Sequence, residues 1–225
     1  MRVFGVAAAT TAVVTGLSYG LPEKHGATGV GLAFLGAVYV LVLRGDDDKV
    51  RRYGMSLGGL LEPRAIDKRR LVRDAASALF WAGVFAAIIF PVFCVGFAWW
   101  YHPRLGFHWK PPGSYSDEVL GQLLVIALPE EAFYRGYLQT ALDEAWPKRI
   151  GVLGARIGWA LPVTCALFAA GHFLTDPRPD RLAVFFPALV FGWLRSRTGG
   201  IGAGVLLHAM SNVLSATLGR GYHLY

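Results

Sequence analysis

The stretch PEEAFYRG, residues 129–136, lies inside an apolar run that extends from about Val119 to Leu142. A charged side chain at the centre of a bilayer costs roughly 2.5–3.5 kcal/mol on insertion scales. Two adjacent glutamates and an arginine in so apolar a segment are too costly to serve packing alone. The stretch therefore predicts a functional site inside a membrane. A structural ion cluster, or the polar lining of a transporter cavity, is the alternative.

The spacing of the three charges predicts different roles for the two glutamates. Glu131 and Arg135 are four residues apart, so on a helix they share one face and can neutralise each other. Glu130 is rotated from that face by about 100° and has no such local partner. We therefore expect Glu131 and Arg135 to support the structure and Glu130 to be available for chemistry.

The composition is that of a membrane protein. Of the 225 residues, 54% are hydrophobic and 16% are charged, whereas soluble domains carry about 25% charged residues. Several apolar runs are about 20 residues long, enough to span a bilayer. We expect a single domain, residues 1–225, that is an all-α polytopic membrane helix bundle. Cys94 and Cys165 both lie in apolar runs, so no disulfide framework is implied.

The apolar runs predict about seven transmembrane helices. The basic segment 44–74 separates the second from the third and holds nine Lys and Arg residues. The seven predicted spans are Val3–Leu21, Thr28–Leu43, Ala75–Tyr101, Glu118–Leu142, Ile157–Leu174, Leu182–Leu194 and Gly200–Leu218.

Positive charge predicts the orientation. If segment 44–74 is a cytoplasmic loop, fifteen of the 22 Lys and Arg residues lie inside and the N-terminus is inside. We expect a bacterial inner (cytoplasmic) membrane. The net charge of +7 then reflects topology, and no nucleic-acid partner is expected. The middle of the basic loop, Tyr53–Leu61, is apolar enough to lie on the membrane surface.

Two further polar motifs interrupt apolar runs. FAAGH occupies residues 168–172 and HAMSN occupies residues 208–212. Polar groups inside a membrane need hydrogen-bond partners, and meeting in one cavity costs the least free energy. We therefore expect one cavity to be lined by Glu130, His172, His208 and Asn212. Such a set can hydrolyse a peptide bond. The carboxylate takes a proton from water, and histidine and asparagine N–H groups stabilise the oxyanion.

Other site types fit less well. The chain contains no His-Glu-x-x-His zinc motif and no intramembrane aspartate. The glycine-rich segment 199–204 follows no strand, so it favours close helix packing over nucleotide binding.

The ordered set Glu-Glu-x-x-x-Arg, Phe-x-x-x-His and His-x-x-x-Asn, within residues 118–218, resembles the CPBP family. This family groups CAAX prenyl proteases of type 2 with bacterial bacteriocin-processing and self-immunity proteins. The resemblance implies a catalytic core at 118–218 and, because family members commonly have eight spans, seven to eight spans in total. It implies that Glu130 and His172 activate water, that His208 and Asn212 donate to the oxyanion, and that Glu131 and Arg135 hold the motif helix.

The resemblance also implies the reaction. We expect an intramembrane endopeptidase that cleaves near the C-terminus of a lipid-modified or membrane-anchored protein or peptide, within the lipid bilayer. The family was long labelled a metalloprotease, but the ligand set here is poor for zinc. We therefore predict no metal ligands, no cofactor and a glutamate mechanism, with a divalent metal as the alternative. The alternative functions are a non-catalytic scaffold or bacteriocin-immunity factor of the same fold, and a small transporter.

Overall fold

The computed structural model describes residues 2–62 and 65–224, which form a helical bundle with one small β-hairpin. A helix satisfies its backbone hydrogen bonds within one segment, which is what an apolar environment demands. The predicted all-α class is confirmed. The α-helices are α1 (Arg2–Gly20), α2 (Glu23–Val38), α3 (Asp47–Arg52), α4 (Lys68–Tyr101), α5 (Tyr115–Leu120), α6 (Leu128–Glu131), α7 (Thr140–Ala145), α8 (Ala160–Thr175), α9 (Phe185–Thr198) and α10 (Gly202–Gly221).

Several of these helices are continued by other helical turns. A π-helical segment, Tyr39–Leu43, extends α2. Two more, Gly121–Ala127 and Ala132–Gln139, join α5, α6 and α7 into one rod. We call this rod, residues 115–145, the glutamate helix. Short 3-10 turns occupy Leu57–Gly59 and Pro179–Val184.

Three helices of the described part of the chain are long and apolar enough to cross a membrane: α1, α2 with its extension, and α4. Many of their apolar side chains face outward. On α4, for example, Leu79, Val92 and Val95 are 63%, 72% and 73% exposed. Contiguous apolar surface of this kind is covered by lipid in an integral membrane protein. The other four predicted spans coincide with the glutamate helix, α8, α9 and α10. Their crossing of the bilayer and the N-inside orientation stay predictions.

Several helix boundaries differ from the sequence-based expectation, among them the starts of α4 and α8. Helix α4 begins at Lys68 rather than Ala75, because the Asp67 carboxylate caps it by accepting hydrogen bonds from two backbone N–H groups of the first turn. Helix α8 begins at Ala160 rather than Ile157. The preceding residues pair instead as an antiparallel hairpin of β1 (Arg149–Val152) and β2 (Ala155–Gly158).

The basic loop folds against the protein. Tyr53, Met55 and Ser56 are buried, so the expectation that Tyr53–Leu61 lies on the membrane surface is wrong for the first part of this segment. Met55 packs on Gly136 of the glutamate helix, in space that a side chain at residue 136 would fill. Arg64, one of the nine basic residues of the loop, and the neighbouring Pro63 lie outside the described residues.

One carboxylate ties the ends of this loop together. Glu62 accepts from the Arg51 guanidinium at 2.6 Å and pairs with Arg70 at 2.8 Å. Hydrogen bonds from Arg51, and then from Arg70, hold the pKa of Glu62 well below its usual range. The carboxylate is therefore ionised at neutral pH and fixes the loop beside the start of α4.

The glutamate helix lies at the centre of the bundle. Every residue of its second π-helical segment, Ala132–Gln139, is buried. Phe133 contacts the ring of Phe34 from α2, and Tyr134 contacts the ring of Phe168 from α8. The charged stretch is thus enclosed by neighbouring helices and is kept away from the surface of the bundle.

Candidate functional site

The four residues predicted to be catalytic line one cavity of about 580 Å³. Glu130 comes from the glutamate helix, His172 from α8, and His208 and Asn212 from α10. Helices α1 and α2 complete the wall. A cavity of this volume is in the usual range for a small ligand or a short peptide segment.

The cavity extends to one end of the bundle. Ser18 at the end of α1, Glu23 at the start of α2, Thr175 at the end of α8 and Ser215 near the end of α10 all line it. The basic loop joins the opposite ends of α2 and α4. If that loop is cytoplasmic, as the charge distribution predicts, this end of the bundle is on the outer side.

Glu131 and Arg135 form an ion pair inside the protein. The Glu131 Oε2 atom is 3.3 Å from Arg135 Nε, and both side chains are fully buried. The Arg135 guanidinium also lies over the Phe168 ring, 4.6 Å from its centroid. A cation–π contact is strongest where water is excluded. Opposite charge and the aromatic face together offset the cost of burying this arginine.

Glu131 has a second partner that its position in the sequence does not reveal. His208 Nδ1 lies 3.1 Å from Glu131 Oε1. Because a carboxylate can only accept, the hydrogen of this contact is on Nδ1, and the Nε2 atom of His208 faces the cavity. Gly204 makes the approach of α10 possible, since a Cβ atom there would lie 3.1 Å from Glu131 Oε2.

Glu130 lies between the two imidazole rings. Its Oε2 atom is 3.9 Å from His172 Nε2 and 3.8 Å from His208 Nε2. Both distances are too long for direct hydrogen bonds. Oε2 is buried and has no hydrogen-bond partner among the described residues. A buried carboxylate oxygen without a partner is costly, which is a mark of a group kept for a substrate or for water.

The histidines are held by aromatic and backbone contacts. His172 Nδ1 is 3.1 Å from the carbonyl oxygen of Phe168, one helical turn earlier, so its Nδ1–H donates and its Nε2 turns toward Glu130. The rings of these two residues are 4.4 Å apart. The His208 ring stacks on Phe191 of α9 at 5.0 Å. Both Nε2 atoms are thereby aimed at the same carboxylate.

Asn212 is held by a residue that the sequence reasoning missed. Its Nδ2 atom donates to Gln122 Oε1 at 2.9 Å, and both side chains line the cavity. Gln122 lies in the first π-helical segment of the glutamate helix, eight residues before Glu130. Its only sequence signal is a polar residue within an apolar run. One N–H of the Asn212 amide is used in this bond, and the other is available to a substrate.

All six residues singled out from the sequence thus meet in the described structure, four around the cavity and two behind it. The described residues contain no group of three or more His, Cys, Asp or Glu side chains with the geometry of a metal site. The contacts provide one carboxylate, two imidazoles and one amide, which are suited to moving a proton and stabilising an oxyanion.

The segment that carries these side chains matches a known protein family. Residues 116–214 match the family described as type II CAAX prenyl endopeptidase Rce1-like. Neither the curated proteins nor the solved structures give a match. The matched segment nearly coincides with the core predicted at 118–218, and the resemblance noted in the sequence is confirmed. Over residues 116–214 the chain is thus similar to the Rce1-like family of type II CAAX prenyl endopeptidases, which supports a CAAX-type intramembrane protease in general.

Proposed function

We propose that this protein is an intramembrane endopeptidase in which Glu130 activates water. Its substrate is a lipid-modified or membrane-anchored protein or peptide, cut near its C-terminus. The observation that carries the proposal is the position of the Glu130 carboxylate. It lines a cavity, has a buried oxygen with no hydrogen-bond partner among the described residues, and lies within 3.9 Å of two imidazole nitrogens.

The first step is attack by water. Glu130 takes one proton while the water oxygen bonds to the carbonyl carbon of the scissile peptide bond. His172 Nε2 accepts a hydrogen bond from the same water, because its Nδ1–H is used by the Phe168 carbonyl. The tetrahedral intermediate then collapses, the C–N bond breaks, and Glu130 returns the proton to the leaving amine.

The negative oxygen of the intermediate needs donors. The free N–H of Asn212 supplies one, since Gln122 occupies the other. His208 supplies the second from Nε2. Because its Nδ1–H already donates to Glu131, this requires the doubly protonated imidazolium form. The positive charge would face the carboxylates of Glu130 and Glu131. The Glu131–Arg135 pair orients the ring that does this chemistry.

The test of this function is cleavage of two reporter peptides by the reconstituted protein. Purified protein is reconstituted in vesicles with two reporters, a peptide with a farnesylated cysteine near its C-terminus and a peptide anchored by an apolar helix. Mass spectrometry is expected to find a shortened product from at least one reporter. Intact reporters in every fraction would favour a scaffold, and transfer of a reporter across the vesicle membrane would favour a transporter.

We expect cleavage to be independent of metal. Strong chelators should leave the rate unchanged, because the proposed roles of Glu130, His172 and His208 require no metal. The measurement is the rate after prolonged chelation, with and without added Zn²⁺. Loss of activity that zinc restores would contradict the proposed mechanism.

Gln122→Leu is expected to lower kcat because the Asn212 amide loses its anchor. Deleting an oxyanion donor costs about 10²- to 10³-fold in kcat, so loss of its orientation should cost less, on the order of tenfold. Gln122→Glu retains an acceptor oxygen and should recover part of the rate. The measurement is kcat and KM for both variants. A leucine variant with the wild-type kcat would show that Gln122 does not position Asn212.

A further inference from the structure

One arginine, and no lysine, is found among the described residues that line the cavity. Arg181 lies in the 3-10 turn Pro179–Val184, between α8 and α9. Resting on the proposed function, we propose that Arg181 binds the free carboxylate at the C-terminus of the substrate. The cavity would then hold both the scissile bond and the end of the chain, so the enzyme would release a short C-terminal fragment.

The guanidinium of Arg181 is incompletely paired. Its Nε atom is 3.5 Å from Asp176 Oδ2, too loosely placed for a hydrogen bond, and this buried atom has no hydrogen-bond partner among the described residues. The Asp176 carboxylate is already occupied. Arg178 donates three hydrogen bonds to it, at 2.9–3.1 Å. Arg181 therefore has hydrogen-bonding capacity that its own chain does not use.

The position of Arg181 suits a ligand in the cavity. The turn that carries it follows the end of α8, where Thr175 and His172 also line the wall. Its side chain is 36% exposed, so part of the guanidinium remains accessible. The neighbouring Arg178 is 59% exposed and does not line the cavity. The two arginines belong to one turn, yet only Arg181 can meet a substrate there.

The guanidinium of Arg181 favours a carboxylate as its ligand. A guanidinium binds a carboxylate through two parallel N–H···O bonds, a geometry that fits a chain terminus. The carboxylates on the wall, Glu23 and Glu130, would repel a substrate carboxylate. Arg181 therefore determines where in the cavity a C-terminal carboxylate can lie, and fixes the direction in which the peptide enters.

The test compares two farnesylated peptides that differ only at the C-terminus, one a carboxylate and the other a carboxamide. For the wild-type protein, kcat/KM is expected to be about 10- to 100-fold higher for the carboxylate, as for loss of a charge-assisted pair. Arg181→Gln should bring this ratio close to one, chiefly by raising KM for the carboxylate peptide. Arg181→Lys should retain part of it. Arg178→Gln, from the same turn, is the matched control and should keep the full ratio.

Each outcome decides the proposal. Equal cleavage of both peptides by the wild-type protein would overturn the Arg181 site while leaving the endopeptidase function intact, and it requires no variant to fold. A full ratio in Arg181→Gln would also overturn it. Binding of each peptide to the Glu130→Gln protein, measured by fluorescence anisotropy, tests the carboxylate site separately from cleavage. If neither peptide is cut or bound, the proposed function fails and the carboxylate site fails with it.

Discussion

Glu130→Gln is expected to lower the cleavage rate by about 10²- to 10⁴-fold, the usual contribution of a general base. Glutamine keeps the shape of the side chain and cannot take up the proton. No described residue donates a hydrogen bond to the Oε2 atom of Glu130, so the substitution breaks no hydrogen bond of that atom. The folded yield in detergent should therefore stay at the wild-type level.

The measurement is the cleavage rate per folded molecule, together with the melting temperature in detergent. Glu144→Gln is the matched control. It lies on the same helix, its side chain is 43% exposed, and it does not line the cavity. It should cut at the wild-type rate. A Glu130→Gln protein that also cuts at that rate would remove Glu130 from the mechanism.

Glu131→Gln should have the largest effect on stability. It breaks a fully buried ion pair from one side and leaves the Arg135 charge uncompensated. Such a change costs roughly 3–5 kcal/mol. It also weakens the contact with His208 Nδ1, so the fraction that still folds should cut slowly. The expected result is a low detergent-stable yield, with a lower melting temperature for the protein that remains.

A double variant separates charge from packing. Glu131→Gln combined with Arg135→Met removes both charges and leaves no unpaired ion in the core. It should recover part of the folded yield that Glu131→Gln alone loses, although not the activity. If instead Glu131→Gln folds normally and is inactive while Glu130→Gln cuts at the wild-type rate, the roles assigned to the two glutamates are reversed.

Local spacing was sufficient to relate the charges on the glutamate helix. Glu131 and Arg135 meet because four residues on a helix bring side chains to one face, and the neighbouring Glu130 points elsewhere. The lengths of the apolar runs likewise located the long helices. The all-α class followed, because 20-residue apolar runs have few other stable structures in a membrane.

Contacts between distant segments could not be predicted in this way. The bond between Glu131 and His208 spans 77 residues, and the bond between Gln122 and Asn212 spans 90. Each depends on how α10 packs against the glutamate helix, which no local pattern specifies. The burial of Met55 has the same origin. Met55 can be buried because Gly136 has no side chain, and the sequence does not reveal that these two residues meet.

The most direct test of water activation by Glu130 is a single turnover in H₂¹⁸O with enzyme in excess over a farnesylated peptide. If Glu130 acts as a base, water attacks the peptide carbonyl, and one ¹⁸O atom enters the new C-terminal carboxylate of the product. The Glu130 carboxylate keeps its original oxygens, which mass spectrometry of the digested enzyme can verify. An unlabelled product with ¹⁸O in Glu130 would instead show that the glutamate attacks the substrate directly, and would contradict the proposed mechanism.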